Sequence, residues 1–363
     1  MNFVRRTGRK LVDPSYLERL PSRVAFEASS TIDESYEIHR FDTIHSVADL
    51  LESNHQIKHI DRCLDTIASK IVEAIKNGVS IGERIDSGFR LDVYNSKCIS
   101  LNDTNIGIPL KIIFTSQDED IKMYTSEYDS GDAEIGVNLR YWQSRVKDGK
   151  EKAIKEVFTS LSHEIVHVCQ IYKSRYSKPK TYENEKAPRQ VVEMLYLIED
   201  AEINSRINEL GSFIRKMSNQ EIQWILKKPC GQDFEGWPKE VSPTAMKVIR
   251  ILEHCDHILQ LSSIERFIDT VLSKSYDENI AYKCYLVGYY ANRDHLTSSK
   301  IKIGSENKSL FKKRMSGVEL SHMSGLTKKI INPIVEMLRG VVKRARLQAS
   351  SVIYERLAEL KMI

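Results

Sequence analysis

The chain has 363 residues, of which 41% are hydrophobic and 29% charged, with a formal net charge of +4. That is enough to bury a sizeable core, split over two domains, and it excludes a disordered or fibrous polymer. No apolar run approaches the roughly eighteen residues of a membrane helix, and Arg5, Arg6, Arg9 and Lys10 precede no apolar h-region, so a cytoplasmic protein with no membrane partner is expected. The six cysteines (Cys63, Cys98, Cys169, Cys230, Cys255 and Cys284) are widely spaced and form no CxxC pair, which reads as reduced thiols.

Residues 1 to 55 are polar, and Pro14 and Pro21 oppose a long helix, so this part reads as an arm or small cap. Ile57 to Ile75 carries Ile60, Leu64, Ile67, Ile71 and Val72 in helical phase and stops at Asn77-Gly78. Four short runs rich in branched and aromatic residues follow: Phe89–Tyr94, Pro109–Thr115, Ile121–Glu127 and Ala133–Trp142. Asn, Asp, Gly and Ser turns separate them, with Ser130-Gly131-Asp132 as a hairpin tip. In the last run Ile135, Val137, Leu139 and Tyr141 alternate with polar residues or glycine, the period of a half-buried strand.

A helix follows, with an apolar stripe through Ile154, Val157, Phe158, Leu161, Ile165, Val168 and Tyr172. It carries His163-Glu164-Ile165-Val166-His167, an HExxH pattern. Histidines four apart project from one helical face, here opposite the stripe, so both imidazoles can reach one Zn²⁺ while Glu164 serves as general base. Cys169, on the same helix, reads as packing.

The order helix, small sheet, HExxH helix resembles the N-terminal lobe of the zincin metallopeptidases, over about Ile57 to Leu210. The resemblance implies an α+β fold: a zincin-like lobe with a small mixed sheet at residues 56–212, and a mainly helical C-terminal domain at 213–363. It also implies that an edge strand beside the HExxH helix binds peptide substrate by β-augmentation, with Ala133 to Tyr141 as the candidate.

A catalytic zinc usually takes three protein ligands and keeps a fourth position open. No histidine follows His167 until His254, which points to a carboxylate. Arg189 to Leu210 has one helical period with Val191, Leu195 and Ile198 on the apolar face; Glu202 falls within that face and Glu199 near it, while Glu193 and Asp200 point away. A carboxylate on a buried face must be paired or coordinate a metal. Glu202 is the preferred third ligand and Glu199 the alternative; an internal salt bridge from Glu202 to Arg206 is the structural reading. Glu202-Ile203-Asn204-Ser205-Arg206 is also similar to the signature of small phage and bacterial zincin-like proteins, in which the glutamate is the third ligand. This implies a gluzincin-like ligand set.

The expected function is a zinc-dependent metallopeptidase, a hydrolase of peptides or proteins in which Glu164 activates a zinc-bound water. Tyr172, Tyr182, Tyr196 and Arg206 are the candidate oxyanion donors, and Asp200 or Glu199 could accept an imidazole N–H. The alternative is an inactive zincin-like binding or structural module from a phage or bacterium.

His254-Cys255-Asp256-His257 gathers four ligand types but fits helix packing better than metal binding. Beyond Leu210 helical periodicity dominates: Asn219–Leu226, Pro243–Leu261, Ile264–Leu272, Asn279–Tyr290 and Ile330–Leu360. Linkers interrupt it at 228–238 and 298–309. Between Lys300 and Arg346 basic residues outnumber acids; a solvated helix face explains this better than a nucleic-acid or acidic-partner surface.

Overall fold

A computed structural model of the protein describes residues 54–92, 100–102, 108–117, 121–126, 133–172, 187–227, 243–274, 278–297 and 326–363. The expected N-terminal arm lies almost wholly outside these residues. The turn at Ser130-Gly131-Asp132, both predicted linkers and the lysines between 300 and 313 lie outside them as well.

Helix α1 (Asn54–Lys76) buries Leu64, Ile67, Ile71 and Val72 on one face. It ends as its sequence dictates. Gly78 takes a left-handed φ of 81°, and the N–H of Val79 closes back onto the Ala74 carbonyl at 3.0 Å.

Five strands follow: β1 (Arg84–Asp92), β2 (Ser100–Asn102), β3 (Ile108–Thr115), β4 (Met123–Ser126) and β5 (Ala133–Asn138). They form one mixed sheet in the order β2-β1-β3-β5-β4; β3 and β5 run parallel and the other pairs antiparallel. Along β3, Ile108, Leu110, Ile112 and Phe114 are buried while the residues between them are partly exposed, so one face meets the core.

Two sequence expectations need correction here. The run 133–142 is not one strand: β5 ends at Asn138, and α2 (Leu139–Asp148) begins at once, burying Leu139, Trp142 and Val146 at helical spacing. The Trp142 indole N–H donates to the Lys122 carbonyl at 2.9 Å, which fixes this helix against the start of β4. Nor is β5 an edge strand. It lies between β3 and β4, so the edge belongs to β4.

Helix α3 (Lys150–Tyr172) carries the HExxH residues and packs against α1, α2, β4 and the later helix α5. Residues 60 to 169 make one hydrophobic core and residues 191 to 363 a second. The segment 189–210 is not one helix. Helix α4 (Arg189–Ile198) stops at Glu199, whose backbone is extended at φ −64°, ψ 124°, and α5 (Asp200–Lys216) restarts in a new direction. Asp200 holds the restart: its N–H donates to the Leu296 carbonyl at 2.8 Å and its carboxylate pairs with Arg344 at 3.3 Å.

The remaining elements are α6 (Asn219–Lys227), α7 (Pro243–His254), α8 (Asp256–Leu259), α9 (Leu261–Ser273), α10 (Glu278–Arg293) and α11 (Leu326–Glu359). The predicted helix 243–261 is broken at Cys255 and again at Gln260, which adopts a left-handed φ of 56°. Helix α11 is the spine of the second core, with Leu338, Val341 and Ile353 fully buried. Its arginines form carboxylate pairs, Arg339 with Glu336, Arg344 with Asp200 and Arg346 with Glu265, so this helix presents less bare positive charge than the sequence suggests. Among the described residues no helix is long and apolar enough to cross a membrane. Cys63, Cys169, Cys255 and Cys284 are buried thiols, and burial pushes Cys255 and Cys284 up to about 12.

Candidate metal centre

Helices α3 and α5 pack antiparallel, and this brings His163, His167 and Glu202 together: one ligand atom from each lies within 4.8 Å of the other two. The two Nε2 atoms are 3.1 Å apart. Glu202 faces both, Oε1 at 3.3 Å from His167 Nε2 and Oε2 at 3.5 Å from His163 Nε2. The carboxylate is only 3% exposed, on the inward face that its position in α5 demands. Arg206, the structural alternative as its partner, stands farther off at 4.0 Å. Glu199 is buried too, but at the break between α4 and α5 it takes no part in this group.

The outer nitrogens fix the chemistry of the inner ones. His163 Nδ1 is 3.0 Å from Glu209 Oε2, and His167 Nδ1 is 2.9 Å from Gln170 Oε1. Gln170 cannot turn its amide round, because its Nε2 donates to the Ala201 carbonyl at 3.2 Å. Both partners are therefore acceptors, so each Nδ1 carries a proton and each Nε2 faces inward, where it takes either a proton or a metal ion. Two Nε2 atoms and a carboxylate meeting at these distances need a positive charge among them, a proton or a metal cation.

The electrostatics agree. Burial by itself disfavours the His163 imidazolium, but hydrogen bonds to Glu202 and Glu209 and the charges of Glu209 and Glu164 overcome it and raise the pKa from 6.5 to about 10. Burial acts against the Glu202 anion as well, yet the two histidines hold its pKa well below the ordinary carboxylate range. The same surroundings that favour a proton on His163 favour a metal cation in its place. The three residues can hold a metal ion.

Glu164 lies on the sheet side of α3. Its Oε2 accepts a hydrogen bond from the Thr125 hydroxyl of β4 at 2.8 Å, and that hydroxyl is also 3.1 Å from the Glu164 carbonyl oxygen. The edge strand and the expected general base are thus in direct contact. Tyr196 and Arg206 line the same cleft, the guanidinium 5.0 Å above the phenol ring. Burial and the Glu202 charge push the Tyr196 phenol above its ordinary value. All of these groups open into one cleft of about 1250 Å³, floored by α3 and α5 and walled by β4 and α2 on one side and α6 to α8 on the other.

Sequence reasoning singled out the two histidines and Glu202, which the structure brings together, and Glu164, which lines the same cleft. It missed Glu209, Gln170 and Thr125. Glu209 was accessible, since it follows Glu202 by seven residues and so shares its helical face. Thr125 gave no signal, because its contact spans 39 positions in sequence. The expected imidazole acceptors, Asp200 and Glu199, give way to Glu209 and Gln170. Of the candidate oxyanion donors, Tyr196 and Arg206 line the cleft, Tyr182 lies outside the described residues, and the structure describes no side chain for Tyr172. His254 and His257 stand at the other end of the cleft, and among the described residues they belong to no group that could hold a metal ion.

No protein-family model matches the sequence, and neither the curated proteins nor the solved structures contain one that is significantly similar to it.

Proposed function

We propose that the protein is a zinc-dependent metallopeptidase of gluzincin-like ligand set, with His163, His167 and Glu202 as metal ligands and Glu164 as general base. The observation that carries this reading is the convergence of both Nε2 atoms and the Glu202 carboxylate on one point. A tetrahedral zinc about 2.0 Å from each donor sets donor–donor separations of roughly 3.3 Å. The two Nε2 atoms stand 3.1 Å apart, and each lies near one of the two Glu202 oxygens, His167 3.3 Å from Oε1 and His163 3.5 Å from Oε2, so the spacings are those a zinc ion among them needs. Two neutral imidazoles and one carboxylate also suit zinc better than magnesium or calcium, which take oxygen donors.

When bound, zinc supplies a Lewis acid for the scissile carbonyl and draws the pKa of a coordinated water toward neutrality. The protein's own groups do the rest. Glu164 takes the proton of the attacking water and passes it to the leaving amine, while Thr125 holds its carboxylate in place. Tyr196 offers an O–H donor to the oxyanion that develops on the attacked carbonyl. The outer edge of β4, which pairs with no further strand among the described residues, supplies backbone donors and acceptors along which an extended peptide pairs. Glu209 and Gln170 orient the two imidazoles.

A structural metal site has no use for a carboxylate that lines the same cleft and is held by a separate strand, and this favours catalysis over an inert binding module. The test is digestion of a broad peptide library by the zinc-loaded protein and by its Glu164→Gln variant. Cleavage by the wild type alone is expected; identical output from the two proteins overturns the assignment.

A further inference from the structure

The end of the cleft away from the metal ligands is built differently. Phe213 of α5, Trp224 of α6, and His254 and His257 at the α7–α8 junction present their rings to it. The rings stand nearly perpendicular in a chain: Trp224 to His254 at 6.4 Å and 87°, His254 to His257 at 6.4 Å and 79°, His257 to Phe213 at 5.7 Å and 83°. The His257 ring is fixed by its Nδ1–H, which donates to the His254 carbonyl at 3.0 Å. Trp224 is nevertheless 58% exposed. An indole that lines a concave cleft, meets one ring edge-on and stays more than half exposed is an anchor for a ligand ring.

We propose that this cluster is a distal specificity subsite that binds an aromatic side chain of the peptide substrate, four to six residues from the cleaved bond. The proposal rests on the metallopeptidase reading for the word substrate, and the distance comes from the helices. Phe213 follows Glu202 by eleven residues along α5, roughly 16 Å at 1.5 Å per residue, and an extended peptide covers that span in about five residues.

Charge selects the occupant. The cation nearest the rings, Lys155, sits 6.0 Å from the Phe213 centroid and is matched by Glu221 at 2.8 Å. Farther along the wall Arg145 faces Glu156 at 3.9 Å. Glu151 and Lys152 line the cleft as well and oppose one another in sign, so this end offers ring surface without a net excess of charge, which selects an uncharged aromatic group over lysine or glutamate. The floor between the two ends is polar, with Thr159, Ser160 and Glu209, so the intervening substrate residues carry no apolar requirement.

The test has two arms, both on the full chain. In the first, wild type and Trp224→Ala digest the same peptide library. Wild-type cleavage sites are expected to be enriched in Phe, Tyr or Trp at one position four to six residues from the cleaved bond, on one side only, and Trp224→Ala to lose that enrichment while Trp224→Phe keeps it. In the second, fluorescein-labelled Gly/Ser/Ala octapeptides with a single Phe scanned through every position are titrated against the Glu164→Gln protein and followed by anisotropy. Phe at one position is expected to tighten binding about tenfold over an all-Ala control, and Trp224→Ala in that background to abolish the gain. Phe-dependent binding without any cleavage by the wild type leaves the subsite standing and removes the peptidase reading. Cleavage without positional preference, a Phe scan no tighter than the Ala control, or a Lys scan tighter than the Phe scan overturns the subsite.

Discussion

Removing the carboxylate of Glu209 isolates the orientation of His163 from its ligation. The Nδ1 to Oε2 contact is 3.0 Å, and the two side chains are 12% and 16% exposed, so the bond is charge-assisted and shielded from water. A hydrogen bond of this kind is worth about 1.5–3 kcal/mol, and loss of such an outer partner usually costs ten- to a hundredfold in metal affinity, about 1.4–2.7 kcal/mol. The two scales agree. Glu209→Gln keeps the acceptor oxygen and loses only the charge, so it falls near the tenfold end; Glu209→Ala also frees the ring to turn, so it falls near the hundredfold end. Competition against a chromophoric zinc chelator measures both directly. Glu193→Gln serves as the control, because Glu193 pairs with Arg189 on an exposed surface of α4. If Glu209→Ala binds zinc as tightly as the wild type, Glu209 does not orient His163 and the view of the outer partners is wrong.

Further outcomes follow from other contacts. Thr125→Val should leave zinc content unchanged and lower kcat by ten- to a hundredfold with little change in KM, since it removes one hydrogen bond to a charged carboxylate; Thr125→Ser should restore the rate, and a Val variant as fast as the wild type removes Thr125 from the mechanism. Gly136→Ala should destabilise the fold by about 1–3 kcal/mol in urea, because its Cβ would lie 2.2 Å from the Tyr124 ring across the β4–β5 pair. Adding Tyr124→Ala should recover much of that loss, and an unrelieved double variant rejects the clash as the cause. Asp61 and Arg215 form a two-pronged pair at 2.9 and 3.0 Å that ties α1 to α5. Both side chains are about four-fifths shielded, so a double-mutant cycle should return a coupling of about 1 kcal/mol; a coupling near zero shows that solvent screens the pair completely.

The parts of the site that sequence made legible are those written in one helix. His163 and His167 lie four apart, Glu164 between them, and no other part of the chain is needed to see that they share a face. Glu202 was found because a carboxylate among Val191, Leu195 and Ile198 needs an explanation, though the continuous helix assumed for it breaks at Glu199. The inward position survives the break because α5 carries its own apolar face, with Ile203, Ile207 and Leu210 buried beside Glu202. Sheet order was out of reach. Alternation in 133–138 identifies a strand, but β3 pairs with β5 across the intervening β4, and nothing local reveals that the later strand lies inside and the earlier one at the edge. The same holds for the aromatic cluster: His254 and His257 drew attention as metal-ligand types, while their ring neighbours Phe213 and Trp224 come from two other helices.

The central claim is that one zinc ion is held by His163, His167 and Glu202. It is tested most directly by stripping and reloading the full chain with zinc and measuring the bound metal in wild type, His163→Ala and Glu202→Ala, with circular dichroism to confirm that each variant is folded. About one zinc per chain in the wild type and almost none in either folded variant is the predicted result. Full zinc occupancy in both variants, or none in the wild type, contradicts the account.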